Sequence, residues 1–244
     1  MPSDLGLELY VLARQVRLAA QCRPERRQYL FRDRSPRHVG ERRTEALDQA
    51  PADLRSDLRV LMQVNGRRPP DDAYVAAACE AVATWAQDTG YPNTAVHFAE
   101  AGAAIRPRGP YPAFVAGRTN RTVGDPWRAE VFYGRSIRYA YQEQEWPVYV
   151  RAHLGLGRLL TDRGHLSAAA KHLYTAARVA LDQGEEWLAA QTYHDLLLLH
   201  FELEDEQKVE EYARKALETY PRHHERYPLA VHDYAFAVLI SRRR

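Results

Sequence analysis

The chain contains an internal repeat with a fixed offset of 40 residues. Six residues of one segment recur at the same positions in the next segment. The first set is Gly117, Arg118, Gly124, Ala129, Arg138 and Ala140, and the second is Gly157, Arg158, Gly164, Ala169, Arg178 and Ala180. A repeat of this length indicates a helical solenoid, in which each repeat packs on its neighbours and the working part is a long surface.

The segment that starts at Val150 shows the repeat most clearly. A first helix is predicted to end near Asp162, Gly164 makes the turn, and a second helix begins near Leu166. Small or apolar residues fall at positions 7, 8, 11, 20, 24 and 27 of the segment, namely Leu156, Gly157, Leu160, Ala169, Leu173 and Ala176. This pattern resembles the tetratricopeptide repeat, a pair of antiparallel helices whose small residues allow close packing.

The resemblance extends over four units and a terminal helix, and part of the units are lengthened to about 40 residues. The units are placed at 76–109, 110–149, 150–189 and 190–227, and the terminal helix at 228–244. Two positions depart from the family pattern. Asn120 replaces a large residue in the second unit, and Glu204 stands where a turn glycine is expected in the fourth. The resemblance implies an all-α, right-handed solenoid of helical hairpins over residues 71–244.

Residues 1–70 are predicted to form an arginine-rich helical segment in front of the array. Between residues 14 and 68 there are 14 arginines against 7 acidic residues. A first amphipathic helix is expected to carry the apolar stripe Leu5, Leu9, Leu12, Val16 and Ala19. Pro24 ends that helix, and a second helix is expected near residues 52–65. Residues 23–43 interleave arginines with aromatic residues, which suits a cap or a partner-docking segment. The alternatives are contact with nucleic acid and a loosely ordered arm.

Composition places the chain among cytoplasmic proteins. Apolar residues make up 45% of the sequence, which excludes disorder throughout. The sequence lacks an apolar run of about 20 residues, so no membrane span is predicted, and the N-terminus does not read as a secretion signal. Cys22 and Cys79 are far apart and are interpreted as ordinary thiols. Only three lysines accompany 31 arginines, as in GC-rich genomes, and we expect a bacterial source.

No constellation in the sequence argues for an enzyme. His194-Asp195 and His232-Asp233 are similar to the dyad of metal-dependent HD phosphohydrolases, but both pairs fall at equivalent places of a repeat, as duplication produces. Phosphate-binding, nucleophile-elbow and dinucleotide-binding motifs are absent from the sequence. We therefore expect no catalytic residue, no metal ligand and no cofactor.

The resemblance also implies a binding groove, because the first helices of such repeats line the concave side. The matching positions are Tyr111, Phe114, Arg118 and Arg121 in the second unit, Arg151, Leu154 and Arg158 in the third, and His194 and Phe201 in the fourth. Arginine and aromatic residues suit an acidic or C-terminal peptide, and the alternative is that the arginines only keep this surface solvated. The four arginines at these positions are expected to repel one another. Asp162 is the only nearby carboxylate at a groove position of the repeat pattern.

The sequence thus predicts a non-enzymatic adaptor or regulatory module that binds a protein or peptide in its groove. Two alternatives use the basic N-terminal segment, as the output part of a peptide-sensing regulator or as a contact with nucleic acid. A membrane partner is not expected.

Overall fold

The computed structural model describes residues 3–29, 50–220 and 222–241. Within these ranges the chain forms twelve α-helices and no strand. They are α1 (Ser3–Ala20), α2 (Pro24–Arg27), α3 (Arg55–Met62), α4 (Asp72–Asp88), α5 (Pro92–Ile105), α6 (Pro110–Thr122), α7 (Pro126–Gln142), α8 (Trp146–Asp162), α9 (Leu166–Asp182), α10 (Glu186–Glu202), α11 (Glu206–Thr219) and α12 (Tyr227–Ser241). A short 3₁₀ turn, Gln63–Asn65, follows α3. The predicted all-α fold of consecutively paired helices is confirmed.

Six of the turns between consecutive helices share one geometry. Each contains a residue in the left-handed region, with φ between 56° and 81°, and these residues are Gly90, Gly124, Gln144, Gly164, Gly184 and Glu204. The next residue donates its N–H to the carbonyl five residues earlier, at 2.6–3.0 Å, which closes the helix end. Its own carbonyl then accepts the first hydrogen bond of the following helix. One residue therefore ends one helix and begins the next, and successive helices run antiparallel.

The turn at Glu204 forms although the position lacks glycine. Glu204 adopts φ 57° and Gln144 adopts φ 56°, so both side chains accept the left-handed backbone that glycine adopts elsewhere. A left-handed conformation costs a non-glycine residue about 1–2 kcal/mol. The hydrogen bonds at each turn and the packing of the flanking helices offset this cost.

The described residues fall into two compact units that divide between Phe132 and Tyr133, within α7. From here on, the first unit and the second unit are these two parts of the structure, and the four units of the sequence pattern are called repeats. The first unit has one continuous hydrophobic core. Val16 of α1, Leu58 and Leu61 of α3, Val82 of α4 and Phe98 of α5 are all buried in it. The α1 stripe predicted from the sequence points into this core at its described positions, and α1 packs on α5. The N-terminal helices and the first hairpin thus share a core across residue 70.

A buried carboxylate ties four helices of the first unit together. Glu100 on α5 is only 6% exposed. Its carboxylate forms salt bridges with Arg17 of α1 at 3.2 Å and with Arg128 of α7 at 3.0 Å. It also accepts a hydrogen bond from the Asn120 amide of α6 at 3.4 Å. Asn120 also donates to the Ala116 carbonyl at 2.9 Å. The polar residue that departs from the family pattern is therefore a partner of this buried charge.

Arg27 connects the N-terminal segment to the start of the array. Its guanidinium is 2% exposed and pairs with both carboxylate oxygens of Asp72, at 2.5 and 3.2 Å. Its Nε donates to the Ala19 carbonyl at 3.1 Å. A bidentate pair of this kind sets direction as well as attraction. Of the arginine-rich stretch 23–43, residues 30–43 lie outside the described residues.

Glycines allow the helices of the second unit to approach closely. A Cβ added to Gly155 of α8 would lie 2.5 Å from the ring of Tyr133, which is 1% exposed. A Cβ added to Gly157 would lie 2.6 Å from Leu173 of α9. Ala169 of α9 is fully buried beside this contact. The small residues that the repeat pattern singled out at Gly157 and Ala169 thus mark the α8–α9 contact.

We expect Gly155→Ala to destabilise the protein by about 1–3 kcal/mol, because the methyl group overlaps a buried tyrosine ring that has little room to move. Gly134→Ala is the matched control, since a Cβ there meets nothing within 4 Å. In that helical position alanine should stabilise by roughly 0.5–1 kcal/mol. Urea unfolding measures both. Equal effects of the two substitutions would contradict the close approach at Gly155.

Candidate functional site

Four of the predicted groove residues lie on α6 in the first unit. Tyr111 and Phe114 are half-buried, pack against the core of that unit, and place their rings 5.9 Å apart. Tyr111 and Arg118 both lie close enough to the Glu80 carboxylate of α4 to act on its pKa. Burial raises the pKa of Glu80, while Tyr111 and Arg118 oppose that rise. Arg121 is half-buried near the end of α6.

The other five predicted residues lie in the second unit, on α8 and α10. We call the surface formed by side chains of α8, α10 and α12 in this unit the first-helix face. Arg151 and Arg158 of α8 and His194 and Phe201 of α10 reach it. The fifth residue, Leu154, is only 3% exposed, so its side chain belongs to the core and does not reach this face.

Arg158 is already paired within the protein. Its Nε donates to the Asp195 Oδ2 at 2.7 Å, from α8 to α10, and the Asp195 side chain is 5% exposed. The repeat pattern predicted Asp162 as the nearby carboxylate. In the structure the partner of Arg158 is Asp195, which lies on α10. The mutual repulsion expected among the groove arginines is therefore relieved internally at Arg158.

The two His-Asp pairs turn out to be equivalent structural links. Asp195 accepts a hydrogen bond from Arg158 of α8, and Asp233 of α12 lies against α10, with its Oδ2 2.7 Å from the Nδ1 of His194. Burial acts to raise the pKa of Asp233, but hydrogen bonds and charge from His194 and His232 outweigh it, so the pKa lies below its ordinary value. Each aspartate thus joins one first helix to the preceding one.

A basic and aromatic cluster lies at the start of α10. The guanidinium of Arg151 lies over the ring of Trp187, 5.5 Å from its centroid. The other neighbours come from the turn after α11. His224 stacks on Trp187 at 6.5 Å, Tyr220 lies 5.2 Å from His224, and Arg226 lies close enough to Tyr220 to lower its pKa. Burial raises the pKa of Tyr220, which keeps the phenol neutral. We call these five residues the Arg151 cluster.

The chemistry changes to acidic and apolar at the other end of α10. A cavity of about 410 Å³ opens there, lined by His200, Phe201, Glu202, Glu204, Glu206, Val209 and Ala237. Phe201 is 47% exposed and lies 6.0 Å from Phe236 of α12, which is 45% exposed. The predicted groove residue Phe201 thus lines a cavity whose charge is opposite to that of the Arg151 cluster.

Burial lowers the pKa of two histidines in the second unit, His153 and His200, which favours their neutral form. The Nδ1 atoms of His153 and His172 lie 2.9 Å apart, which requires one to donate and the other to accept. Burial and the neighbouring His172 lower the pKa of His153 to about 4. The Nε2 of His200 lies 2.8 Å from the Tyr174 hydroxyl, and burial lowers the pKa of His200 as well.

Sequence reasoning missed most of these partners. Trp187 lies just before the fourth repeat, which was placed at 190–227. Tyr220, His224 and Arg226 lie in the connection between α11 and α12. The available signal was the recurrence of His-Asp at 194–195 and 232–233, which marks equivalent positions on two neighbouring first helices. Because the partner of each aspartate comes from another repeat, only the packing identifies it.

Reactive and metal-binding groups are not concentrated in the described part of the chain. No group of three or more His, Cys, Asp or Glu residues is arranged there to hold a metal ion. Cys22 and Cys79 are free, and complete burial raises the pKa of the Cys79 thiol. Among the described helices, none is both long and apolar enough to cross a membrane.

Comparison with known proteins supports the fold. No protein-family model matches the chain, and no curated protein matches it in sequence. Among solved structures, the chain is similar to a Rap protein complexed with competence and sporulation factor, with a TM-score of 0.61 at 11% sequence identity. The match covers 98% of this chain and 71% of the Rap chain. Together with the helical hairpins, this similarity shows a tetratricopeptide-like repeat fold.

The Arg158–Asp195 pair predicts a stability effect. Arg158→Gln removes the Arg158 charge from the buried Asp195 carboxylate and should lower the free energy of unfolding by roughly 2–4 kcal/mol. Replacing both residues, by Arg158→Met and Asp195→Leu, should recover most of that loss. Arg138→Gln, at an exposed position of α7, serves as the control and should change stability by less than about 0.5 kcal/mol. If urea unfolding shows Arg158→Gln to be as stable as the control, the pair is not formed in solution.

Proposed function

We propose that the chain is a non-enzymatic regulatory or adaptor module of the bacterial cytoplasm that binds a peptide, or an extended protein segment, on the first-helix face of the second unit. The proposal rests on one observation. Arg151 is half-buried against Trp187, and it makes no ion pair with any residue that the structure describes. Its neighbour Arg158, by contrast, has Asp195 as an internal counter-charge.

A half-buried guanidinium without a counter-ion suits the capture of an anion. Removing a charge from water costs free energy unless a partner is present, and a carboxylate restores the lost interactions in a bidentate way. Trp187 holds the guanidinium plane in place, so little side-chain freedom is lost on binding. Arg226 adds a second positive charge to the cluster. These features favour a carboxylate, either a C-terminus or an acidic side chain.

The similarity to the Rap protein gives a precedent for binding by this fold, because that protein was solved in complex with a separate factor. At 11% identity the similarity does not transfer a ligand. The present proposal therefore stands on the residues of the second unit. The alternatives that use the basic N-terminal segment stay predictions, since residues 30–49 lie outside the described part of the chain.

We expect the full chain to retain hexapeptides that carry an acidic C-terminal residue when a pool of random hexapeptides is separated by affinity selection and mass spectrometry. Arg151→Gln should weaken retention by about 10- to 100-fold, because a charge-assisted hydrogen bond contributes about 1.5–3 kcal/mol. Arg138→Gln is the control, since it removes an exposed arginine elsewhere in the same unit.

Two results would contradict the proposal. One is the absence of any retained peptide, and the other is an equal loss for Arg151→Gln and Arg138→Gln. Helical content measured by circular dichroism verifies that both variants fold.

A further inference from the structure

The two ends of α10 carry opposite charge, and this asymmetry specifies the ligand further. We infer that the first-helix face binds a peptide of about six residues in one direction, with its C-terminal carboxylate end at the Arg151 cluster and an arginine or lysine near its N-terminus in the cavity beside Phe201. This inference rests on the proposed function and deepens it, because it assigns a second subsite and a ligand polarity.

The cavity joins negative charge to exposed aromatic surface. Four of the five residues from 202 to 206 are acidic, and the side chains of Glu202, Glu204 and Glu206 line the cavity. Lys208 is a nearby cation and offsets part of this charge. The apolar wall is formed by Phe201, Val209 and Ala237. A long basic side chain fits both parts, because its methylene stem packs on apolar surface while its charged end meets the carboxylates.

His200 gives an independent indication of a ligand in this cavity. Its side chain lines the cavity and is 97% buried, being 3% exposed, yet its Nδ1 has no hydrogen-bond partner among the described residues. The nearest carboxylate oxygen, Asp205 Oδ2, lies 3.7 Å away, beyond hydrogen-bonding distance. Tyr174 occupies the other ring nitrogen at 2.8 Å. The Nδ1 atom is itself almost fully buried, so a backbone group of a peptide in the cavity would satisfy it once the imidazole ring turns toward the cavity.

The distance between the two subsites sets the length of the peptide. Trp187 and Phe201 are 14 residues apart on α10, which corresponds to about 21 Å at 1.5 Å per residue. An extended chain spans about 3.3–3.6 Å per residue, so about six residues bridge the subsites. Between them the face presents Leu198, which is 46% exposed and offers apolar contact to the middle of the peptide.

The direction is tested with four hexapeptide pools that share four random central residues. The first pool has a basic first and an acidic last residue, the second has these reversed, and the other two have both ends basic or both ends acidic. Affinity selection on the full chain should enrich the first pool at least about tenfold over the reversed one, as expected for charge-assisted contacts at both ends. Equal or reversed enrichment overturns the inference.

The cavity is tested with the double variant Glu202→Gln, Glu204→Gln, whose side chains are both exposed. It should lose the preference for the first pool over the pool with two acidic ends, while the retention that depends on Arg151 persists. The variant Glu143→Gln, Asp182→Asn removes two exposed charges elsewhere in the second unit and should change neither.

The outcomes separate the inference from the proposed function. If Arg151→Gln abolishes retention but the cavity variant behaves as wild type, the peptide-binding function stands and the second subsite is wrong. If no pool is retained, both fail. A dimer seen by sedimentation and lost in Phe236→Asp, with peptide retention independent of Glu202 and Glu204, would assign the cavity to a second copy of the chain and overturn the inference.

Discussion

The architecture depends on a three-residue turn with one residue in the left-handed region. At Gly164, for example, α8 is closed by the hydrogen bond from His165 to the Leu160 carbonyl, and the His165 carbonyl then starts α9. From Gly124 to Glu204 the left-handed residues follow one another at intervals of 20 positions. Because these turns are so short, each helix packs antiparallel to the helix before it, and alternate helices run in the same direction.

This arrangement explains why the first helices of the second unit make a common face. Because α8 and α10 run in the same direction, Arg151 meets Trp187 and Arg158 meets Asp195 in the same register. The link from His194 to Asp233 adds α12 by the same logic. Arg158 and His194 on this face have partners within the protein, whereas Arg151 makes no ion pair among the described residues, which is why the proposed ligand is placed at Arg151 and at the acidic cavity.

The sequence predicted the helices better than the contacts between them. The end of α8 at Asp162, the turn at Gly164 and the start of α9 at Leu166 were all correct, because glycine and the repeat spacing report local geometry directly. The close contact at Gly157 followed from the same pattern. The turn at Glu204 could not be predicted from a glycine, because the residue there is glutamate. Its left-handed backbone conformation is imposed by the packing of the neighbouring helices.

The candidate site was harder to predict because its chemistry depends on pairing across repeats. Arg158 was expected to face a ligand, but its charge is neutralised by Asp195, which lies 37 residues later. Leu154 was assigned to the groove from the positions of the repeat pattern, but its side chain packs into the core. Asn120 departed from the family pattern for a reason that only the structure gives, namely the buried Glu100 beside it.

The central claim is that the first-helix face of the second unit holds the ligand. Photo-crosslinking tests it most directly, with benzoylphenylalanine placed in turn at Leu198 on that face and at Leu181 on α9, two leucines of similar exposure, 46% and 54%. After irradiation with the retained hexapeptide pool, the account predicts a peptide adduct at position 198 and little or none at 181. An adduct at 181 with none at 198, or equal yields at both, would contradict it.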